Sequence, residues 1–388
     1  MKTLPTIASI EAFPFQLPVR REFRWAGLHL GLGHFVCVRL RTSDGVEGYG
    51  EATPLPDWGG DHGRRGGETV RTVISVIDEI LAPALIGEPI ADRRRLHARM
   101  RQRLRGHSYA KCALDIAIHD ALGQSLGVPI FQLLGGRYRE QIPIAHMIGL
   151  MPPSDAMEEA ARAAADGCTA LQVKGGEDGD RDVALIQALR RELGDAIRLR
   201  LDANQGYREP RRALDIASRL RSAGLDYLEQ PVEGLERMRA VQARSPVPII
   251  ADESCWDGHD ALEIAGQRAA DALSIYLAKA GGLLPATTVG ALADLAGLPC
   301  DVNGSIESGI GNAANVQFAA AMPAVTLASV IPISAGAGQH RSKTAGRYFE
   351  DDVLIEPMNT RDCQIVIGDL PGLGVRIDAT KLERYRIK

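Results

Sequence analysis

The chain has 388 residues, of which 45% are apolar and 24% charged, and its net charge is −4. This length exceeds what one hydrophobic core comfortably supports, so we expect two globular units. No apolar run reaches the ~18 residues of a membrane helix, and the slightly acidic balance gives no electrostatic reason to expect nucleic acid. We therefore expect no membrane association and no nucleic-acid partner.

The six cysteines lie far apart and show no C-x-x-C spacing. This pattern argues against a disulfide framework and against a zinc site, and it favours a reducing compartment. The N-terminal stretch is interrupted by Pro5, Glu11 and Pro14, which is not typical of a signal peptide. The expected location is cytoplasmic.

The first part of the chain predicts an α+β unit. Two apolar stretches flank the turn Ser43-Asp44-Gly45, a pattern typical of a β-hairpin. Helical periodicity follows at about 67–86, 92–105 and 108–126. The last helix is expected to end at Gly127, before Pro129. Strands followed by helices indicate an α+β domain over residues 1–135.

From Ile142 onward the pattern becomes a strict alternation of strand and helix. Such alternation is typical of a parallel α/β barrel, which we expect over residues 136–350. The tail, residues 351–388, contains short strand-like stretches. Since chain ends often lie together, we expect this segment to return to the N-terminal unit.

Charged residues recur at nearly one interval through the barrel region. The spacings are 28, 27, 23, 27 and 28 residues, and the positions are Lys174, Asp202, Glu229, Asp252, Lys279 and Glu307. Each interval is about one strand plus one helix. The first four residues each close an apolar run, so they are expected where strands end and βα loops begin. That edge is the catalytic face of such barrels.

Three carboxylates, Asp202, Glu229 and Asp252, are predicted at three adjacent strand ends. Oxygen ligands of this kind suit Mg²⁺, with Mn²⁺ as a possible substitute. A single aspartate at a strand end is most often a helix cap. Three in register between two lysines favour a metal site instead.

Lys174 and Lys279 are predicted to face each other across this metal, on the second and sixth strands. A lysine base must have its pKa lowered from about 10.4 to ~7–8 to work near neutrality. A nearby divalent cation and a second ammonium group would lower it. A metal beside a lysine base suits removal of a proton α to a carboxylate, because the metal takes up the charge of the enediolate as it forms.

These residues resemble the enolase superfamily. The motifs are LQVK, LRLDAN, YLEQP, IIADES, KAGG and GSIESGIG, with GEAT at 50–53 and a long matching run at 109–136. The facing lysines resemble the muconate lactonizing enzyme group, which also contains racemases, epimerases and dehydratases. The resemblance implies a modified TIM barrel, (β/α)₇β, with an α+β capping domain. It also implies a small carboxylate substrate and a homo-oligomer, from dimer to octamer.

Two departures from the family pattern affect the expected mechanism. Members often carry Lys-x-Lys on the second strand, whereas the outer position here is Gln172, which brings hydrogen bonds without charge. Muconate cycloisomerases tend to have an acidic residue on the last strand, and dipeptide epimerases an Asp-x-Asp. Residues 328–332 here are ASVIP. This argues against dipeptide epimerisation and weakens a literal muconate assignment.

Several further residues are expected to support or bind the substrate: Gln172, Asn204, Ser305, Glu307, Arg24, Trp25 and Trp58. Glu307 would orient Lys279 or hold the substrate-binding loop, or else stiffen its own glycine-rich turn. By resemblance, the loops that contain Arg24, Trp25 and Trp58 close over the barrel. The tryptophans could enclose an apolar or cationic group. Arg20, Arg21 and Arg24 could bind a second carboxylate, or could be surface residues.

The predicted protein is a Mg²⁺-dependent isomerase of the racemase, epimerase or cycloisomerase type. A dehydratase that uses the same residues is the alternative. Two rivals belong to other classes: a barrel without activity, which the intact lysine and carboxylate set argues against, and a Schiff-base aldolase, which would not need three metal carboxylates.

Overall fold

The computed structural model describes residues 5–60, 62–333 and 344–387. An antiparallel sheet in the order β1-β2-β3 starts the chain: β1 (Ile7–Gln16), β2 (His34–Thr42) and β3 (Glu47–Ala52). The predicted hairpin is confirmed as β2 and β3, and Gly45 in its turn has a φ of 87°. Strand β1, which the sequence analysis did not predict, is an edge strand, and an edge tolerates Pro14.

Both faces of this sheet are buried. Because side chains alternate along a strand, Phe35 and Cys37 of β2 face the core shared with the barrel, while Val36 and Val38 face the helices of the N-terminal unit. Two two-residue strands, β4 (Gly59–Gly60) and β5 (Arg65–Gly66), form a small hairpin in the following loop.

The helices of the N-terminal unit confirm the predicted ones. They are α1 (Val70–Val76), a π-helical turn (Ile77–Leu81), α2 (Ala82–Leu85), α3 (Arg93–Arg103), α4 (Ser108–Leu126) and α5 (Ile130–Leu133). Helix α4 ends at Gly127, as expected, in the left-handed conformation. It lies so close to β3 that a Cβ atom on Gly50 would be 1.9 Å from the carbonyl oxygen of Ala113.

Strand β6 (Gln141–Pro143) leads into a sheet of seven parallel strands. These are β7 (Ala145–Ile148), β8 (Ala170–Lys174), β9 (Arg198–Asp202), β10 (Tyr227–Glu229), β11 (Ile249–Ala251), β12 (Ala272–Ile275) and β13 (Cys300–Val302). The helices around them are α6 (Pro153–Ala165), α7 (Gly179–Leu193), α8 (Pro210–Ser222), α9 (Leu235–Gln242), α10 (Gly258–Gln267), α11 (Leu277–Ala280), α12 (Leu283–Ala296) and α13 (Gly309–Ala321).

An eighth extended segment completes the ring. Parallel bridges join Val325 to Cys300 at one edge and Ser329 to Ile144 at the other. Ser329 also donates its backbone N–H to Pro143 and accepts from Ala145. The predicted (β/α)₇β barrel with an α+β cap is therefore confirmed.

The C-terminal segment contacts both units. Strands β14 (Thr360–Arg361) and β15 (Gln364–Val366) extend from β6, and after α14 (Ala379–Tyr385) the chain pairs with β1 through a bridge between Arg386 and Phe15. The domain boundaries given above remain predictions. No helix among the described residues is long and apolar enough to span a membrane.

One cysteine pair differs from expectation. Cys168 and Cys363, which are 195 residues apart in sequence, form a disulfide between the barrel and the C-terminal segment. The other four cysteines are free and buried. Sequence spacing did not reveal this pair because the fold, and not the local sequence, brings the two residues together. The cysteines thus no longer support the expectation of a reducing compartment.

Candidate active site

The three predicted metal ligands lie together at the C-terminal edge of the barrel strands. Asp202 pairs in register with Glu229 on the next strand, and Asp252 follows β11 directly. One carboxylate oxygen from each residue lies within 4.8 Å of the others, and all three residues are fully buried. The regular length of the βα units places them at the same level of the ring.

The electrostatics of this cluster fit a divalent cation. Burial, reinforced by Asp202 and Asp252 and opposed by Arg200, raises the pKa of Glu229 to about 8. Burial and Asp202 also raise the pKa of Asp252, although Lys279 opposes them. Oε1 of Glu229 has no hydrogen-bond partner among the described residues. Converging hard oxygen donors with unsatisfied capacity are what Mg²⁺ or a similar ion needs.

Lys174 lies at the end of β8, beside the carboxylate cluster. Its Nζ atom donates to Oδ2 of Asp202 at 2.5 Å. Burial lowers the pKa of Lys174, but Asp202 and Glu229 outweigh that effect, so the pKa is raised. This direction applies to the protein without a cation, because uncompensated carboxylates favour the ammonium form, and the lowering expected beside Mg²⁺ remains a prediction.

Lys279 reaches the same cluster from the other side of the ring. It was predicted on the sixth strand, but it lies in the one-turn helix α11 that follows this strand. Its Nζ atom donates to Oδ1 and the backbone carbonyl of Asp252, at 2.6 and 2.7 Å, and to the carbonyl of Ser274 at 2.9 Å. The Tyr276 ring lies 4.2 Å from this nitrogen. Each lysine thus holds a different carboxylate.

A deeper layer of polar residues supports the carboxylates. Nε2 of Gln172 donates to Glu229 at 2.8 Å, and Arg200 forms ion pairs with Glu229 at 3.1 Å and with Asp301. All these side chains are buried. Strand alternation points positions 172 and 174, and likewise 200 and 202, into the same interior. The sequence analysis missed Arg200 and Asp301, although Arg200 stands two residues before a predicted ligand.

A small pocket lies beside Lys174 at the same edge of the barrel. It is lined by Trp25, Leu55, Trp58, Met147, Gln172, Lys174, Asn204, Tyr276, Asn303, Gly304, Ile306 and Val330. The pocket is therefore formed jointly by cap loops and barrel strand ends. The cap side is attached through Nε1 of Trp58, which donates to Glu253 at 3.2 Å, and Glu253 also accepts from Asn204 at 3.0 Å.

Family models match both parts of the chain. Residues 155–381 match "Enolase C-terminal domain-like", and residues 12–135 match "Mandelate racemase / muconate lactonizing enzyme, N-terminal domain". The chain is a member of the enolase superfamily. Its resemblance to the muconate lactonizing enzyme group is thereby confirmed, together with the two-part organisation of cap and barrel.

Relatives that match nearly the full length of this enolase-superfamily chain include isomerases. Muconate cycloisomerase 1 of Rhodococcus opacus is 31% identical over 97% of this chain and 98% of the relative. An N-succinyl-L-Arg/Lys racemase of Bacillus cereus is 28% identical over 98% of both chains. The crystal structure of muconate lactonizing enzyme from Pseudomonas fluorescens with muconolactone has a TM-score of 0.88 and 30% identity, and the match covers 99% of this chain and 100% of that chain. The prediction of an isomerase-type enzyme is confirmed at family level.

Some predicted site residues of this superfamily member lie outside the pocket. Arg24 is exposed and lines an outer cleft. The Ser305 hydroxyl lies 3.2 Å from the Tyr109 hydroxyl of the cap. Glu307 accepts from the backbone N–H of Ser305 at 2.9 Å, and Lys279 makes its hydrogen bonds elsewhere. The contacts of Glu307 fit the turn-stiffening alternative.

The sequence analysis missed two residues that contact site residues directly. The Tyr276 hydroxyl donates to Asp252 at 3.1 Å and its ring stacks on Trp58 at 5.4 Å. Glu253 joins Trp58 to Asn204. Glu253 follows the predicted ligand Asp252 and Tyr276 stands three residues before Lys279, but only the folded loops show which side chains they join.

Proposed function

We propose that this chain is a Mg²⁺-dependent isomerase that removes the α-proton of a small carboxylate. The observation that carries the proposal is the position of the two lysines. Lys174 and Lys279 come from opposite sides of the ring, and each contacts a different carboxylate of one buried cluster. A substrate carboxylate held at this cluster would present its α-carbon to both amines.

The residues divide the chemistry between them. Lys174, as a neutral amine, accepts the α-proton, and the electron pair of the C–H bond moves into the substrate carboxylate to give an enediolate. Lys279, as an ammonium, returns a proton to the α-carbon from the opposite face, which inverts the centre. The reverse reaction exchanges the roles. When bound by Asp202, Glu229 and Asp252, a divalent cation would offset their charge and stabilise the negative charge that develops on the substrate.

Racemisation or epimerisation uses both lysines chemically, whereas cycloisomerisation or β-elimination uses one and keeps the other as an electrostatic support. The named relatives include a cycloisomerase and a racemase, which supports the isomerase reactions over elimination. A non-catalytic barrel is a remote alternative, because it would have no need for two buried lysines at a buried carboxylate cluster. Homo-oligomer formation and a cytoplasmic location remain predictions.

Deuterium exchange in D₂O with Mg²⁺ tests the proposal. For a two-base racemase, Lys174→Ala and Lys279→Ala should each lower turnover by about 10²–10⁴-fold. Each variant should keep exchange with one enantiomer only. Lys381→Ala, in the C-terminal helix, is the matched control. Chelation should abolish exchange and Mg²⁺ should restore it. Full activity after chelation, or normal turnover by either active-site variant, would contradict the two-base form of the proposal.

A further inference from the structure

The wall of the pocket is largely apolar and aromatic. Leu55, Met147, Ile306 and Val330 line it, and each is at most 6% exposed. The rings of Trp25 and Trp58 come from the cap. Lys174 is the only charged side chain among the described residues that line this pocket, and it is paired with Asp202. No lining residue in that part of the chain is thus free to neutralise a second anionic group.

Two of the three arginines that could have bound a second carboxylate have other partners, and the third, Arg24, lies outside the pocket. Arg20 and Arg21 both form ion pairs with Glu159, at 3.1 and 2.8 Å. Glu159 also accepts from Nε2 of His146 at 2.9 Å, while Nδ1 of His146 accepts the backbone N–H of Gly346. This buried network fastens the loop that contains Trp25 to the first barrel unit.

Three polar atoms of the pocket residues lack hydrogen-bond partners within the described chain. They are Nε1 of Trp25, Nδ2 of Asn303 and Oδ1 of Asn204, on residues that are 5%, 2% and 7% exposed. Two are donors without an acceptor. A buried donor is normally satisfied, so these donors indicate an acceptor, such as a carbonyl oxygen, in a bound substrate.

We infer that the substrate is a monocarboxylate whose remaining part is largely apolar and carries no second negative charge, with one hydrogen-bond acceptor close to the reacting carbon. This inference rests on the proposed function, because the carboxylate is assigned to the metal side of the pocket. It separates this chain from relatives named for muconate and for N-succinyl amino acids, since both compounds carry a second carboxylate. A second carboxylate against Leu55, Met147 and Val330 would lose its hydration and gain no partner.

A matched pair of probes tests the inference. N-butanoyl-L-valine and N-succinyl-L-valine share a backbone, an acyl carbonyl and a chain length of four carbons, and they differ by one terminal carboxylate. Binding to the Mg²⁺-loaded protein would be measured by quenching of tryptophan fluorescence, and α-proton exchange by NMR in D₂O. We expect the butanoyl compound to bind and exchange about 10- to 100-fold better.

Binding and exchange separate two kinds of failure. Preferred binding of the butanoyl compound without exchange would support the inference and contradict the proposed function. Equal or preferred exchange of the succinyl compound would overturn the inference and leave the proposed function standing. If neither compound binds, the inference is wrong, because both supply the expected carboxylate and acceptor.

A charge placed in the pocket gives an independent measurement. Leu55→Lys should raise the succinyl-to-butanoyl ratio of kcat/KM by about tenfold, since an ammonium would then face the second carboxylate. Leu295→Lys makes the same change at a residue that is 86% exposed on α12 and is the control. An unchanged ratio in a folded Leu55→Lys protein would show that this wall does not contact the acyl end.

Discussion

The ends of the barrel strands and the cap loops contribute to one pocket in different ways. Asp202, Glu229 and Asp252 are buried at strand ends, and Asp202 and Asp252 contact lysines at 2.5 and 2.6 Å. The cap loops instead present aromatic and aliphatic surface, and their ion pairs, such as Arg21–Glu159 and Arg65–Asp260, lie away from the pocket. We therefore expect the proposed reaction chemistry to depend on strand register, and substrate selection to depend on how the loops are attached.

The largest loss of folding stability is expected from replacing Arg200, the buried arginine that contacts Glu229. Arg200→Met would leave the buried Asp301 carboxylate without its cation, and breaking a buried ion pair from one side costs about 3–5 kcal/mol. Chemical denaturation of the metal-free protein measures this loss. Arg198→Met on the same strand removes an exposed partner of Asp226 and should cost about 1 kcal/mol or less. Equal losses would mean that Arg200 does not support the ring.

Glu229→Gln should separate metal binding from folding. The variant removes a carboxyl whose pKa burial raises to about 8, so the metal-free fold should keep its stability. Mg²⁺ affinity should fall about 100-fold or more, since even outer-shell changes cost 10–100-fold. Titration calorimetry measures the affinity, circular dichroism checks the fold, and Glu236→Gln on the exposed side of α9 is the control. Unchanged affinity would exclude Glu229 as a ligand.

Glu159→Gln tests how the cap loop is fastened. His146 and Arg21 outweigh the effect of burial and lower the pKa of Glu159 from 4.5 to about 2. A lowered carboxyl pKa gives stability that is complete above about pH 4.5 and disappears as the pH falls through about 2. The variant should thus lose about 1–3 kcal/mol at pH 7, after allowance for solvent screening, and progressively less below pH 4. A pH-independent difference in unfolding free energy would contradict this role.

The smallest effect is expected from Trp58→Phe. It removes the hydrogen bond to Glu253, worth about 1 kcal/mol, and keeps an aromatic ring beside Tyr276. KM and the preference between acids should change more than the rate of exchange at saturation. Trp256→Phe is the control, because it loses a comparable bond to the Glu253 carbonyl outside the pocket lining.

Arg24→Ala should leave KM and the preference between acids unchanged, and a shift in substrate preference would place Arg24 at the site.

The sequence predicted the repeating part of the molecule well. The hairpin, the cap helices, the alternating barrel and the clustering of Asp202, Glu229 and Asp252 follow from periodicity and a nearly constant spacing. Lys279 was predicted near the right carboxylate but on the wrong element. An extra helical turn after β12 brings it back to Asp252, and strand spacing contains no signal for such a turn.

Contacts between distant segments escaped prediction for a physical reason. The pairing of Arg21 with Glu159, of Arg200 with Asp301 and of Cys168 with Cys363 depends on which side chains meet after the ring closes. Composition had left open whether the cap arginines bind substrate or lie at the surface. In the fold, Arg20 and Arg21 are structural, a third outcome that the sequence alone did not suggest.

The last described residues of the chain contact β1 of the cap. Arg386 pairs with Phe15, its guanidinium bonds to Glu11 at 2.8 Å, and the N–H of Ile387 donates to Pro14. If this barrel were combined with the cap of another family member, the β1 strand of that cap would lack the C-terminal segment that pairs with it in its own protein. The last helix would therefore have to be exchanged as well. The transferable module for protein engineering is therefore the cap together with the C-terminal segment, grafted as one discontinuous piece.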